Sequence, residues 1–221
     1  MRNIHIDDAI LDLVPSFAMA VLELDVRVFE HPELDDLIAN QEADLSQRYD
    51  ISDVIHLPFI RDGRDAYKAF GKDPSRYRLA VESLYRRIVK GNRLYRINNV
   101  VDAGNVLSLI AQKSVAVLDD ERVNGDVTIR LGRISDEFYG IGRGRLSIDR
   151  IPVYVDSIGP FGSTTSDTER TMIRPQTTKV LLFILSFSGP DSLSSDIDEA
   201  IRLYTKYCEA TIRSSRIIQR F

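Results

Sequence analysis

The densest run of chemically capable side chains lies between Arg76 and Arg96. Arg76, Arg78, Arg86, Arg87, Lys90, Arg93 and Arg96 stand there against a single acid, Glu82, with Tyr77, Tyr85 and Tyr95 interleaved. Guanidinium groups beside aromatic rings suit phosphate contact and base stacking, the two interactions that RNA binding needs. On a helix Arg86 and Lys90 form an i,i+4 pair of like charge, which Glu82 relieves only in part. Two readings fit: an RNA-contacting surface, or a solvated helix face neutralised by acidic residues elsewhere in the chain.

A second cluster is Asn98-Asn-Val-Val-Asp102-Ala-Gly-Asn105. On a helix starting near Asn99, the side chains of Asn98, Asp102 and Asn105 fall at i, i+4 and i+7, on one side. Short polar groups in an otherwise apolar helix must be solvated or hydrogen-bonded. They either line a pocket that reads an amine or amide, or fasten neighbouring loops. Gly104 permits close approach by another backbone. A third cluster is the polar loop from Gly159 to Thr178, which includes Gly162-Ser-Thr-Thr-Ser-Asp-Thr-Glu-Arg-Thr171. Long polar loops in compact domains are often binding loops. The hydroxyls of Ser163 and Thr164, the backbone N–H groups and Asp167 suit the ammonium, carboxylate or ester of an amino-acid-like ligand; simple mobility is the rival reading.

Other chemistries lack their signatures. His5, His31 and His56 are isolated from any triad or zinc spacing, and HExxH, GxSxG and P-loop motifs are absent. The single cysteine, Cys208, excludes a metal site built from cysteines and any intramolecular disulfide, which fits a reducing cytoplasm. No cofactor or metal site is expected. Gly140-Ile-Gly-Arg-Gly144 lacks the spacing of a dinucleotide cradle and reads as a hairpin turn.

The elements that must position these groups follow from periodicity. Phe17–Val26 reads as a buried strand. His31-Pro32 opens a helix with Leu34, Leu37, Ile38 and Leu45 on one face. Asp53–Phe70 is helical in whole or part, with Pro58 marking a break. Asp73-Pro74-Ser75 starts a helix carrying Tyr77, Val81, Leu84, Ile88 and Val89, closed by Gly91-Asn92. Asn98 or Asn99 caps the next. Short strands are expected at Ser114–Leu118, Asp126–Leu131, Glu137–Ile141, Arg145–Ile148, Pro152–Asp156 and Lys179–Phe187. A final helix is expected over Ser194–Ser214. Helices in the first half and strands in the second mean α+β. No linker or repeat divides the sequence, so a single domain over residues 1–221 is expected.

Composition agrees. With 43% hydrophobic and 28% charged residues among 221, the chain can bury a core, and no apolar run approaches the length of a membrane span. The N-terminus carries no apolar signal segment, so a cytoplasmic location is expected. The net charge of −4 conceals an uneven distribution. Residues 1–60 carry 3 basic and 13 acidic side chains, whereas residues 61–96 carry 11 basic and 4 acidic.

Three strings resemble one family: Phe70-Gly-Lys-Asp-Pro-Ser-Arg-Tyr-Arg78, Ser83-Leu-Tyr-Arg-Arg87 and Ile97-Asn-Asn-Val-Val-Asp-Ala-Gly-Asn105. They resemble the free-standing B3/B4 tRNA-binding domains, similar to the editing module of the bacterial phenylalanyl-tRNA synthetase beta subunit. The likeness continues through Asp119, Gly125–Arg130 and Asp167–Thr171, spanning most of residues 60–187. It implies a compact β core, tRNA or aminoacyl-tRNA as partner, and an amino-acid-like small molecule as ligand. It also implies hydrolysis of mischarged aminoacyl-tRNA in trans, without the synthetase's aminoacylation domain. The editing histidine and glutamate of the synthetase would fall near Ala116 and near Ser163 or Thr164, so those two roles do not carry over. Ester hydrolysis can instead proceed through oriented water and N–H donors. The candidate parts are then Asn98, Asp102, Asn105, Ser163, Thr164 and Asp167, with Arg76, Arg78, Arg86, Arg87 and Lys90 holding phosphates. The rival reading is a non-catalytic binder of a free amino acid or related small molecule, with no role for RNA.

Overall fold

A computed structural model of the chain describes residues 2–220. Two short elements that the periodicity does not announce open the fold: strand β1 (Ile4–Ile6) and helix α1 (Asp8–Leu13). The Asp7 carboxylate caps α1 by accepting the Ala9 N–H at 2.9 Å. Strand β2 (Ala18–Asp25) follows, within the expected apolar run. Helix α2 (Pro32–Arg48) starts on its proline, with His31 as the preceding cap residue. Pro58 begins helix α3 (Pro58–Ala69) rather than interrupting it, because a proline at the first position lacks only an N–H that has no helical acceptor anyway. A single 3-10 turn, Val54–His56, lies before it.

The Asp73-Pro74-Ser75 signal starts only one turn. The Asp73 carbonyl accepts the N–H groups of Arg76 and Tyr77, and its carboxylate accepts that of Ser75 at 2.8 Å. The chain then extends at Leu79, with ψ 147°, and helix α4 (Ala80–Val89) begins anew. Helix α5 (Asn99–Ala111) is capped by Asn98, whose side-chain oxygen accepts the Val101 N–H at 3.0 Å.

The second half supplies β3 (Ser114–Asp119), β4 (Val127–Leu131), β5 (Tyr139–Gly140), β6 (Gly144–Arg145), β7 (Pro152–Val155), β8 (Pro160–Ser163) and β9 (Lys179–Ser186). Helix α6 (Leu193–Cys208) and strand β10 (Thr211–Ile218) complete the chain. Three expectations change here. The helix expected over Ser194–Ser214 stops at Cys208, because Glu209 adopts a left-handed conformation (φ 49°) that closes the helix and turns the chain into β10. The loop from Gly159 contains a strand, β8, and a 3-10 turn at Glu169–Thr171. The strand expected over Arg145–Ile148 is only the two-residue β6, paired with β5 across the glycine hairpin.

The architecture is α+β, with most helices in the N-terminal half. One four-stranded sheet has the order β1-β4-β7-β8, in which β1 and β4 are parallel; the other, β10-β2-β9-β3, is antiparallel throughout. Ring contact joins the two sheets: Tyr154 of β7 meets Phe183 of β9 edge-on, centroids 5.1 Å apart. Strand β9 is the centre of the core, and all six residues of Val180–Leu185 are buried. Each such side chain contributes about 1.5–3 kcal/mol relative to exposure. Helices α5 and α6 pack on each other and against the second sheet. At Gly104 the close neighbours are side chains, Val117 and the Tyr204 hydroxyl, rather than the backbone its small size would admit.

Candidate ligand cavity and basic surface

The basic block is largely tied down. Glu82 is buried beneath it and accepts two hydrogen bonds from Arg64 Nη1, at 3.0 and 2.9 Å. Arg78 and Arg86 approach the same carboxylate at 3.9 Å. A buried carboxylate is expensive unless paired, and three guanidinium groups around it supply that pairing. Arg87 donates to the Arg93 carbonyl and lies over the Tyr95 ring at 3.9 Å. Arg96 reaches back to the acidic first block, at 3.1 Å from Asp35 and 3.4 Å from Glu42. Lys90 is exposed just beyond the end of α4. Arg76 goes elsewhere: it lines a cavity.

That cavity, about 370 Å³, lies between the turn at Arg76-Tyr77, the β5–β6 hairpin and the segment after β8. Arg76, Arg143 and Arg145 line it, and none forms an ion pair among the described residues. Its apolar wall includes Tyr77, Phe138, Leu146, Ile148 and Ile151, and its hydroxyls come from Ser147, Ser163, Thr165 and Ser166. Free guanidinium groups around an apolar wall suit a ligand with an anionic head and an apolar or aromatic body. Arg143 and Arg145 were not singled out in the sequence. The signal was present as two arginines bracketing Gly144, but the hairpin's turn chemistry accounts for the glycines and says nothing of the arginines.

The floor behind this cavity is polar. The Ser163 hydroxyl donates to the Ser166 carbonyl at 2.8 Å and accepts the N–H groups of Thr165 and Ser166 at 3.2 and 3.0 Å, which fixes the turn. Thr164 is fully buried; its carbonyl accepts the Ala80 N–H at 2.9 Å, joining β8 to the start of α4. Its hydroxyl pairs with that of Tyr67, which also meets Thr165 at 3.1 Å. Burial pushes the Tyr67 hydroxyl up to about 12 and holds Tyr154 well above the usual phenol range. Asp167 is the anomaly. Its Oδ1 is shut off from solvent and has no hydrogen-bond partner, and burial lifts its carboxyl to about 7. The oxygen sits where a side chain at position 162 would be: a Cβ on Gly162 would lie 2.6 Å from Asp167 Oδ1 and 2.6 Å from the Tyr154 ring. A glycine there is a requirement of packing.

Asn98 and Asp102 line a different cavity, which shares no lining residue with the first. Asn98 serves as the α5 cap, and Asp102 accepts the Ile97 N–H at 3.1 and 3.3 Å. Burial raises the Asp102 carboxyl to about 6. Asn105, one turn on, lines neither cavity. The neighbouring Asn99 does the fastening: its amide donates to the carbonyls of Arg27 and Tyr207, and its oxygen accepts the Phe29 N–H. Among the described residues no three His, Cys, Asp or Glu side chains gather as metal ligands would.

A family model of the B3/4 domain matches residues 62–216, more than half of the chain and the stretch that holds every lining residue of the first cavity. The chain belongs to the B3/4 domain family. Its fold is similar to that of an N-terminal fragment of the phenylalanyl-tRNA synthetase beta-subunit from Pyrococcus horikoshii, with a TM-score of 0.51 at 11% sequence identity. That alignment covers 95% of this chain and 50% of the other, so this B3/4 domain spans half the length of that fragment. No match is found among curated proteins. No helix of this B3/4 domain, among the described residues, is long and apolar enough to cross a membrane.

Proposed function

We propose that this B3/4 domain associates with aminoacyl-tRNA, receives the acylated 3′ end in the arginine-lined cavity, and hydrolyses mischarged esters in trans. The observation that carries the reading is the trio Arg76, Arg143 and Arg145, three cations without ion-pair partners among the described residues, on one half-apolar cavity. The terminal phosphates of a tRNA supply the negative charge that such a trio lacks. Family membership and the likeness to a synthetase fragment support tRNA as the partner. In this reading the Ser163 turn, whose N–H groups close on the Ser163 hydroxyl, presents the Ser166 hydroxyl to the ester across from that of Ser147, with Thr164 and Asp167 behind them, and Arg78, Arg86, Arg87 and Lys90 extend the phosphate-binding surface on and beside α4. Asn98, Asp102 and Asn105 belong to the same ligand system only through α5. Water oriented by the Ser166 and Ser147 hydroxyls performs the attack; the ester C–O bond breaks, and the ribose oxygen takes a proton as it leaves.

A second reading, a binder of a free amino acid or related small molecule without RNA, has its own support. Glu82 draws Arg64, Arg78 and Arg86 onto itself, which leaves less free positive charge than the sequence block implies. Deacylation of a panel of mischarged tRNAs tests the first reading, with Asp167→Ala and Asp102→Ala as comparison proteins. Turnover on at least one member is expected, reduced in Asp167→Ala. Absence of turnover on every member, with tRNA still bound, leaves a binding module; absence of both leaves the small-molecule reading.

A further inference from the structure

The second cavity, about 550 Å³, opens between the N-terminal ends of α2 and α5, with His31 and Asn98, the cap residues of the two helices, in its wall. Helix N-termini favour anions, yet the side chains here argue for the opposite charge. Glu30, Asp35 and Asp102 line the cavity against one cation, Arg96. Arg96 is already engaged by Asp35 at 3.1 Å and by Glu42 at 3.4 Å. Asp102 is 5% exposed and has no cation within ion-pair distance among the described residues. Its two oxygens share the single N–H of Ile97, at 3.1 and 3.3 Å, so most of the carboxylate's acceptor capacity is unfilled. Arg96 acts on Asp102 only from beyond ion-pair distance, and a buried carboxylate with one donor and no cation in contact is a costly arrangement that a cationic ligand would relieve.

The rest of the wall fixes the ligand's body. Phe29, Pro32, Leu34, Ile97 and Pro175 present apolar surface, and the His31 ring is held edge-on against Tyr207 and tilted against Phe29, centroids 5.1 and 5.6 Å apart. We infer that this cavity binds an organic ammonium with an apolar body and no carboxylate, its N–H donors directed to Asp102. A free amino acid is disfavoured, because its carboxylate would face Glu30 and Asp35. A simple amine, or an amino acid whose carboxyl is esterified, has the right charge.

Calorimetric titration at pH 7.5 with four probes tests this: 2-phenylethylamine, phenylalanine methyl ester, phenylalanine and 2-phenylethanol. The amine and the ester are expected to bind, with at least tenfold weaker binding of the zwitterion and the alcohol. If only one of the two cations binds, that result decides between a free amine and an esterified amino acid as the ligand. Asp102→Asn, which keeps an acceptor for the Ile97 N–H, is expected to weaken the amine at least tenfold, and Lys68→Ala, at an exposed ion pair outside both cavities, to leave it unchanged. Ile97→Arg, at a position 60% exposed, is expected to abolish binding by placing a cation at the mouth, and serves where Asp102→Asn does not fold. The inference is overturned if neither cation binds, if the alcohol binds as well as the amine, or if the folded variants keep the wild-type affinity. No RNA enters the experiment, so its failure is separate from failure of the tRNA reading.

Discussion

Replacing Asp167 with Asn is expected to stabilise the protein at pH 8, against the usual direction of core substitutions. The carboxyl sits in the cradle left by Gly162, against the Tyr154 ring, with Oδ1 unpartnered. Burial raises it from 3.8 to about 7, which corresponds to a ceiling of about 4 kcal/mol of ionisation cost carried by the fold. Local relaxation and the amide's own unpaired N–H groups reduce the expected gain to about 1–2 kcal/mol. The sign of the pH dependence follows. Between about pH 4 and 7 the folded carboxyl holds a proton that the unfolded one has released, so stability falls as pH rises through that window and levels off above it. Asp102, raised to about 6, adds to the same trend up to its own value. Asp120, Asp136 and Asp156, each held low by an arginine, act in the opposite sense and only at more acid pH. Urea denaturation at pH 5, 6.5 and 8 measures the effect. The wild type should lose stability across this series, and Asp167→Asn should lose clearly less and exceed it at pH 8. A variant less stable than the wild type at every pH, with an unchanged slope, would refute the reasoning. Stabilisation combined with lost deacylation would mark Asp167 as a group retained for function at a cost in stability.

Three further substitutions probe the scaffold of the site by the same denaturation assay. Glu82→Gln removes the carboxylate shared by Arg64, Arg78 and Arg86 and should cost about 3 kcal/mol, the scale for breaking a buried ion pair. Gly162→Ala drives a methyl group into Asp167 Oδ1 and the Tyr154 ring and should cost about 1–3 kcal/mol; a neutral result would mean that the cradle is not a constraint. Asn99→Ala deletes three hydrogen bonds that tie α5 to the segment after β2 and to the end of α6, and should cost about 2–3 kcal/mol.

The sequence patterns that proved legible are those governed by local rules. Helical spacing located α2, α5 and most of α6, and cap chemistry narrowed the start of α5 to Asn98 or Asn99, of which Asn98 is the cap while Asn99 points back to fasten the segment after β2. Strand β10 was hidden because Tyr204, Tyr207, Cys208 and Ile212 continue a helical spacing, while the break lies in a left-handed glutamate rather than a glycine. The start of α4 was misplaced because Asp73-Pro74-Ser75 does form a helical turn, and only the extended Leu79 ends it. The arginine-lined cavity brings Arg76 beside Arg143 and Arg145, far apart in the chain, through the packing of a turn on a hairpin. No local pattern reports that neighbourhood. Charge counting likewise could not reveal that Glu82 lies beneath the arginines and neutralises part of the block.

The proposal that this B3/4 domain engages tRNA through free arginines is tested most directly by tRNA binding across a salt series. Wild-type protein is compared with a variant carrying Arg76→Ala, Arg143→Ala and Arg145→Ala. Affinity should fall steeply with salt in the wild type. The variant should bind more weakly, with a slope of log affinity against log salt shallower by about 2–3, the scale for three lost phosphate contacts. Equal affinity and equal slope in the two proteins would contradict the account.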